Sequence, residues 1–99
     1  MYTLSEKATE DLEGILDYSY LNFGVKVMQE YYDSLENCLN ILSNNPELGL
    51  ATDYLSVDYY RFNHRSHTIF YKKSELEIFI IRLLHKSMDV DGQFGDIDS

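Results

Sequence analysis

The chain has 99 residues, of which 44% are hydrophobic and 25% charged, and its net charge is −9. That length supplies one small core and a single domain, and the balanced composition excludes a disordered chain. The longest apolar run, Ile78-Phe79-Ile80-Ile81, is far short of a membrane span. Cys38 has no second cysteine to join, which excludes an intrachain disulfide and a multi-cysteine zinc site. Met1–Glu6 shows no basic stretch leading into an apolar one, so the expected location is cytoplasmic, with no membrane contact.

The charges are unevenly distributed. Residues 1–60 carry only Lys7 and Lys26 as bases against eleven acids. The other six bases, Arg61, Arg65, Lys72, Lys73, Arg82 and Lys86, fall in residues 61–86 with Glu75 and Glu77. All three histidines, His64, His67 and His85, lie there too, and Asp89, Asp91, Asp96 and Asp98 make the end acidic again. Two accounts fit this pattern: acidic solvated helices beside a basic sheet, or one positive surface kept for an acidic partner.

In chain order, Tyr2-Thr3-Leu4 reads as a first strand and Ser5 as a helix N-cap, with Glu6, Glu10 and Asp11 near the positive end of the helix dipole. Ala8, Leu12, Ile15, Leu16 and Ser19 recur at helical spacing. Gly14 weakens that helix unless another backbone packs on it, and Asn22-Phe23-Gly24 stops it, with Gly24 suited to a left-handed position. A second helix is predicted from about Val25 to Leu42, through Met28, Tyr31, Tyr32, Leu35, Cys38, Leu39 and Leu42. Pro46 ends it, and the short glycine link makes the two helices an antiparallel hairpin. The Met and Tyr stripe reads as core, because neither helix offers another apolar face.

After a loop with a helical turn around Asp53–Leu55, the period becomes two. Asp58–Asn63, His67–Lys73 and Leu76–Leu84 read as an antiparallel three-stranded meander. Strict alternation groups Leu76, Ile78, Ile80, Arg82 and Leu84 on one face, and Glu77, Phe79, Ile81, Leu83 and His85 on the other. Both faces are apolar in the middle, so this strand is expected to be central and covered on both sides. One hairpin covers one side. The other is expected to stay open beside Arg82 for a partner or a second copy, unless Phe94 and Ile97 fold back over it.

The ordered words Tyr2-Thr3-Leu4-Ser5 with Ala8, Asp11, Leu12 and Ile15; Phe23-Gly24; Asn45-Pro46 with Gly49; Tyr60-Arg61; Ser66-His67-Thr68-Ile69-Phe70-Tyr71; and Arg82-Leu83-Leu84-His85 with Met88-Asp89 span residues 2 to about 89. In this set the chain resembles the ParE branch of the RelE/ParE toxin superfamily of bacterial toxin–antitoxin modules. The resemblance implies an α+β fold: an N-terminal strand, an antiparallel helical hairpin, then a three-stranded antiparallel meander. It implies one toxin domain over 1–88, with 89–99 as an acidic, flexible tail. It also implies a cognate ParD-like antitoxin laid along sheet and hairpin, and DNA gyrase as the poisoned target. RelE-like relatives are instead ribosome-dependent mRNA endonucleases, and a non-toxic antitoxin-binding member is a third reading.

Charge argues against the endonuclease, since docking in ribosomal RNA needs a dense basic surface. In that runner-up reading Arg82 would hold phosphate and His85 would move the proton. Yet Lys86 follows where the nuclease pattern often continues with Tyr, and no carboxylate offers itself as general base, so no catalytic residue is assigned. The expected antitoxin- or target-binding residues are Arg61, Arg65, Tyr71, Arg82, His85 and Lys86, which gather the positive charge on the later strands. Tyr59, Tyr60 and Tyr71 could stack on bases, but local charge is too low to hold a nucleic acid, and no direct sequence-specific binding is expected. His64, His67 and His85 are not expected to form a metal site, because nothing in their spacing enforces convergence, and no cofactor is expected.

Overall fold

The computed structural model describes residues 1–52, 59–75 and 77–86. Strand β1 (Tyr2–Leu4) leads into helices α1 (Glu6–Phe23) and α2 (Val25–Asn44), a 3-10 turn (Pro46–Leu48) and a short strand β2 (Leu50–Ala51). Strands β3 (Tyr59–His64), β4 (His67–Lys73) and β5 (Ile78–His85) complete the order. The expected strand, hairpin and meander are all present. The helical turn expected at Asp53–Leu55 and the tail at 89–99 lie outside the described residues.

The five strands form one sheet in the order β1-β5-β4-β3-β2. β3, β4 and β5 pair antiparallel, while β1 lies parallel to β5, with Tyr2 opposite Ile78 and Leu4 opposite Ile80. Lining the last strand with the first makes β5 central, as its two apolar faces require. β2 closes the far edge, with Leu50 opposite Arg61 and Ala51 opposite Tyr60.

Ser5 starts α1 in two ways. Its Oγ accepts the Ala8 N–H at 2.9 Å, as an N-cap does, and donates to the Ile81 carbonyl at 2.7 Å. Its own N–H donates to the Ile80 carbonyl at 2.8 Å, so helix start and central strand are pinned together. At the other end Gly24 has φ 92° and ψ 172°. The positive φ suits glycine, but ψ is extended rather than left-handed helical, and the chain turns straight into α2.

The main core joins Ala8 of α1 to Leu35, Cys38, Leu39 and Leu42 of α2 and to Ile69, Tyr71, Ile78, Ile80 and Leu83 of the sheet. A smaller cluster, Tyr59, Phe70, Ile81 and Leu84, occupies the opposite face. These memberships correct the alternation expected for β5. Phe70 faces Arg82 but Tyr71 faces Ile80, which leaves Ile81 as the extra residue of a β-bulge. One extra residue reverses the side of everything after it. Leu83 therefore joins the main core with Ile78 and Ile80, and Leu84 joins the opposite cluster with Ile81.

The expectation of an open second face is also corrected at its centre. Phe70 and Leu84 are each 1% exposed, and of that face's large apolar side chains on β5 only Phe79, at 42%, reaches solvent. Tyr59, Phe70, Ile81 and Leu84 pack on one another there, a cluster to which the hairpin contributes nothing; the Phe94 and Ile97 named as alternative cover lie outside the described residues. Open apolar surface lies instead at the hairpin tip, where Tyr18, Leu21, Phe23 and Val25 are each more than half exposed. The helices therefore do carry apolar residues beyond their core stripe.

Two glycines behave oppositely. A methyl group at Gly14 would meet nothing within 4 Å, and the position is exposed on α1, so no close packing justifies the glycine. At Gly49 it would strike the Tyr71 ring, whose hydroxyl accepts the Gly49 N–H at 2.9 Å and donates to the Pro46 carbonyl at 2.7 Å. Gly14→Ala is expected to raise the unfolding free energy by about 0.5–1 kcal/mol. Gly49→Ala is expected to lower it by about 1–3 kcal/mol. Urea denaturation of both variants checks this, and a stabilising Gly49→Ala would refute the packing described at Tyr71.

Candidate interaction site

The six residues expected to bind antitoxin or target fall into three groups. Tyr71 is fully buried and ties the 3-10 turn to the sheet, so it faces no partner. Arg82 is also internal. Its Nε donates to Asp11 Oδ2 at 2.7 Å and its Nη2 to Asp11 Oδ1 at 2.9 Å, with side chains only 9% and 15% exposed. Asp11 Oδ2 also accepts the Leu83 N–H at 3.0 Å, just beyond the bulge. A guanidinium held in a two-pronged carboxylate pair offers little to an RNA phosphate, which removes one half of the Arg82–His85 catalytic pairing.

Arg65, His85 and Lys86 are exposed and lie at one end of the sheet. Arg65 occupies the β3–β4 turn with φ 54°, and the Lys86 N–H donates to the Ser66 carbonyl at 2.9 Å, which draws the end of β5 to that turn. The strand register builds a histidine row beside them. His64 lies opposite His67, and His67 lies opposite His85, with the last two rings 5.4 Å apart edge to face. Cross-strand partners share a face, so the three histidines do converge, contrary to the spacing argument. Helix α2 closes over the row: the Tyr31 hydroxyl is hydrogen-bonded to His67 Nδ1 at 2.6 Å, and Ser34 Oγ to His64 Nε2 at 3.1 Å. Among the described residues no group of three or more His, Cys, Asp or Glu side chains is arranged to hold a metal ion.

Burial pushes the His67 imidazole below its ordinary pKa, and the neighbouring His85 and His64 push it the same way, against a smaller opposing pull from Asp11. Burial, then Arg65, lowers His64 as well. Both rings are therefore biased toward the neutral form.

Arg61 stands apart, on β3 at the β2 edge. It lines a shallow cleft of about 260 Å³ with Leu48, Leu50, Phe62 and Asn63. Its Nε is buried and among the described residues has no hydrogen-bond partner. A second cleft, of about 370 Å³, lies on the face away from the hairpin between Lys7, Tyr59, Lys72, Phe79 and Ile81. Lys72 Nζ sits 5.1 Å from the Tyr59 ring centroid there.

Sequence reasoning placed Asp11 only near the helix dipole and missed it as the partner of Arg82. A signal was present. Asp11 follows Ala8 by three residues and precedes Ile15 by four, so it lies on the buried stripe, where a carboxylate needs a partner. Leu48 and Leu50 carried no such signal, because a cleft at a two-residue edge strand leaves no periodic trace.

The chain matches, over residues 2–90, the family described as ParE toxin of type II toxin-antitoxin system, parDE. It is 36% identical over 91 residues to "Toxin ParE1" of Mycobacterium tuberculosis (strain ATCC 25618 / H37Rv), covering 91% of this chain and 93% of that protein. It is 32% identical over 94 residues to "Toxin ParE1" of Caulobacter vibrioides, covering 95% and 97%. A solved structure entitled "Chromosomal ParDE TA system from P. aeruginosa" shares the fold, with TM-score 0.72 at 16% identity over 85% of this chain and 92% of that one.

Two measurements check the arrangement described. Asp11→Ala strands the buried Arg82 charge and the Leu83 N–H, and is expected to cost about 3–5 kcal/mol in urea unfolding. Asp11→Leu combined with Arg82→Met, which removes both charges, is expected to cost much less. For His64 and His67 the folded pKa is depressed below 6.5, so the unfolded chain binds more protons as pH drops. Stability from these rings is complete above pH 6.5 and is lost as pH falls through their folded values. The melting temperature is expected to drop on going from pH 7.5 to about 5, and to drop less in His67→Phe, with circular dichroism as the readout.

Proposed function

Because the chain belongs to the ParE toxin family of type II toxin–antitoxin systems, we propose that it acts by binding and poisoning DNA gyrase, without catalysis of its own. A ParD-like antitoxin neutralises it by covering the binding surface. The observation that best supports a non-enzymatic toxin is the capture of Arg82 by Asp11, which spends that guanidinium on the fold. A charge of −9 further opposes docking on ribosomal RNA.

The contact residues proposed for antitoxin or target are Arg61, Arg65, His85 and Lys86, the members of the expected set that are not buried in the core or in the Asp11 pair. The toxin domain is taken as residues 1–88, with 89–99 an acidic appendage, and the protein works in the cytoplasm. No helix among the described residues is long and apolar enough to cross a membrane, in keeping with that location.

Induced expression is expected to arrest growth, and purified protein in excess is expected to abolish supercoiling by gyrase. His85→Ala is expected to weaken the effect on gyrase through lost contact and to change no pattern of mRNA cleavage, because the imidazole performs no proton transfer. Codon-phased mRNA cuts that vanish in His85→Ala would replace this reading with the endonuclease, and induction without arrest would replace it with a non-toxic antitoxin binder.

A further inference from the structure

We propose that the row His64, His67 and His85 is an acid-sensitive latch, which holds the first half of α2 on the β3–β4 hairpin while its rings are neutral and releases it when they charge together. This goes beyond the reading above, because it concerns the fold's response to acid whichever target the protein binds.

The first observation is that helix and sheet meet here through imidazole nitrogens. The Tyr31 hydroxyl is hydrogen-bonded to His67 Nδ1 at 2.6 Å, and Ser34 Oγ to His64 Nε2 at 3.1 Å. Tyr31 and Ser34 stand three residues apart, on one side of α2. The Tyr31 ring also packs on both imidazoles, with centroids 5.9 Å from His64 and 5.6 Å from His67. A neutral imidazole offers one donor and one acceptor, whereas an imidazolium offers two donors and no acceptor. Charging the rings leaves both hydroxyls only the accepting role and places charge at half-buried positions, where it is costly.

The second observation is what surrounds the row. His64 faces His67 from β3, with Arg65 in the turn beside it. His85 faces it from β5 at 5.4 Å, with Lys86 next along the chain. Burial, His85 and His64 all oppose a charge on His67, and Arg65 adds to burial in opposing one on His64. From α2 come Tyr31 and Cys38, both pushed by burial further from ionising. From α1 comes Asp11, the carboxylate that favours charge on His67, and it is already balanced by Arg82. Protons on adjacent rings therefore oppose one another, and the row charges at the expense of the contact with α2.

The third observation is that the rest of the α2 contact is indifferent to acid. Leu35, Cys38, Leu39 and Leu42 lie in the apolar core, while Val25 and Val27 are 61% and 42% exposed. Release is therefore confined to Val25–Ser34, and Leu35–Asn44 stays packed.

Amide hydrogen exchange of the intact chain, followed by NMR and corrected for intrinsic pH dependence, tests this. Between about pH 7.5 and about pH 5, amides of residues 29–34 are expected to exchange about tenfold or more faster relative to those of 35–42. The change is expected to follow the titration of the histidine ring resonances. In His67→Gln and His67→Phe, which take up no proton at that position, the relative acceleration is expected to shrink to about threefold or less. No acceleration, or equal acceleration through α1, α2 and the sheet, overturns the proposal. Acceleration that departs from the ring titration, or that persists undiminished in both variants, does so as well. Should neither variant fold, the parent's exchange pattern and ring titration decide it.

Discussion

The Asp11 carboxylate is the hinge on which the architecture turns. One group neutralises Arg82 through two hydrogen bonds and takes up the Leu83 N–H that follows the bulge. From the other side of the same irregularity, Ser5 serves the carbonyls of Ile80 and Ile81. Both residues belong to the start of α1, so a single turn and a half of helix satisfies the groups that the bulged ladder leaves over. A buried ion pair adds little net stability against an apolar alternative, but it is exacting about position. Here it holds the register of β5, and that register decides whether Leu83 or Leu84 enters the core beneath the hairpin.

The legible parts of the chain are those with one strong local cause. Ser5, Gly24 and Pro46 mark helix ends through hydrogen bonding and backbone sterics, and α2 announces itself through seven apolar positions at helical spacing. The bulge was hidden for a physical reason. Residues 78–84 are apolar on both faces apart from Arg82, so a one-residue slip leaves the hydrophobic pattern almost unchanged. The histidine row was hidden because it depends on the register across two turns, one of which places Arg65 at positive φ. β1 was recognisable as a strand, but its parallel pairing to a segment more than seventy residues away has no local signature.

Positive charge in the sequence overstated the positive surface. Six basic residues cluster in residues 61–86, yet Arg82 is consumed internally and Lys72 and Lys73 lie over the Tyr59 and Tyr60 rings. What remains divides between two places, the Arg61 cleft at the β2 edge and the Arg65, His85 and Lys86 end of the meander. The exposed Tyr18, Leu21, Phe23 and Val25 at the hairpin tip add apolar area on a region with few bases.

The pairing of β1 with β5 has a temporal consequence. Residues 2–4 have their neighbours at 78–80, and the strand between them and the rest of the sheet is the last of the described strands to be synthesised. A nascent chain lacking β5 has no middle to its sheet; Asp11 lacks Arg82 and Leu83, and Ser5, which still caps α1, lacks the Ile80 and Ile81 carbonyls. Loop closure across nearly the whole polypeptide must precede those gains. A product that ends before residue 78 therefore lacks the neighbour of β1 and both partners of Asp11.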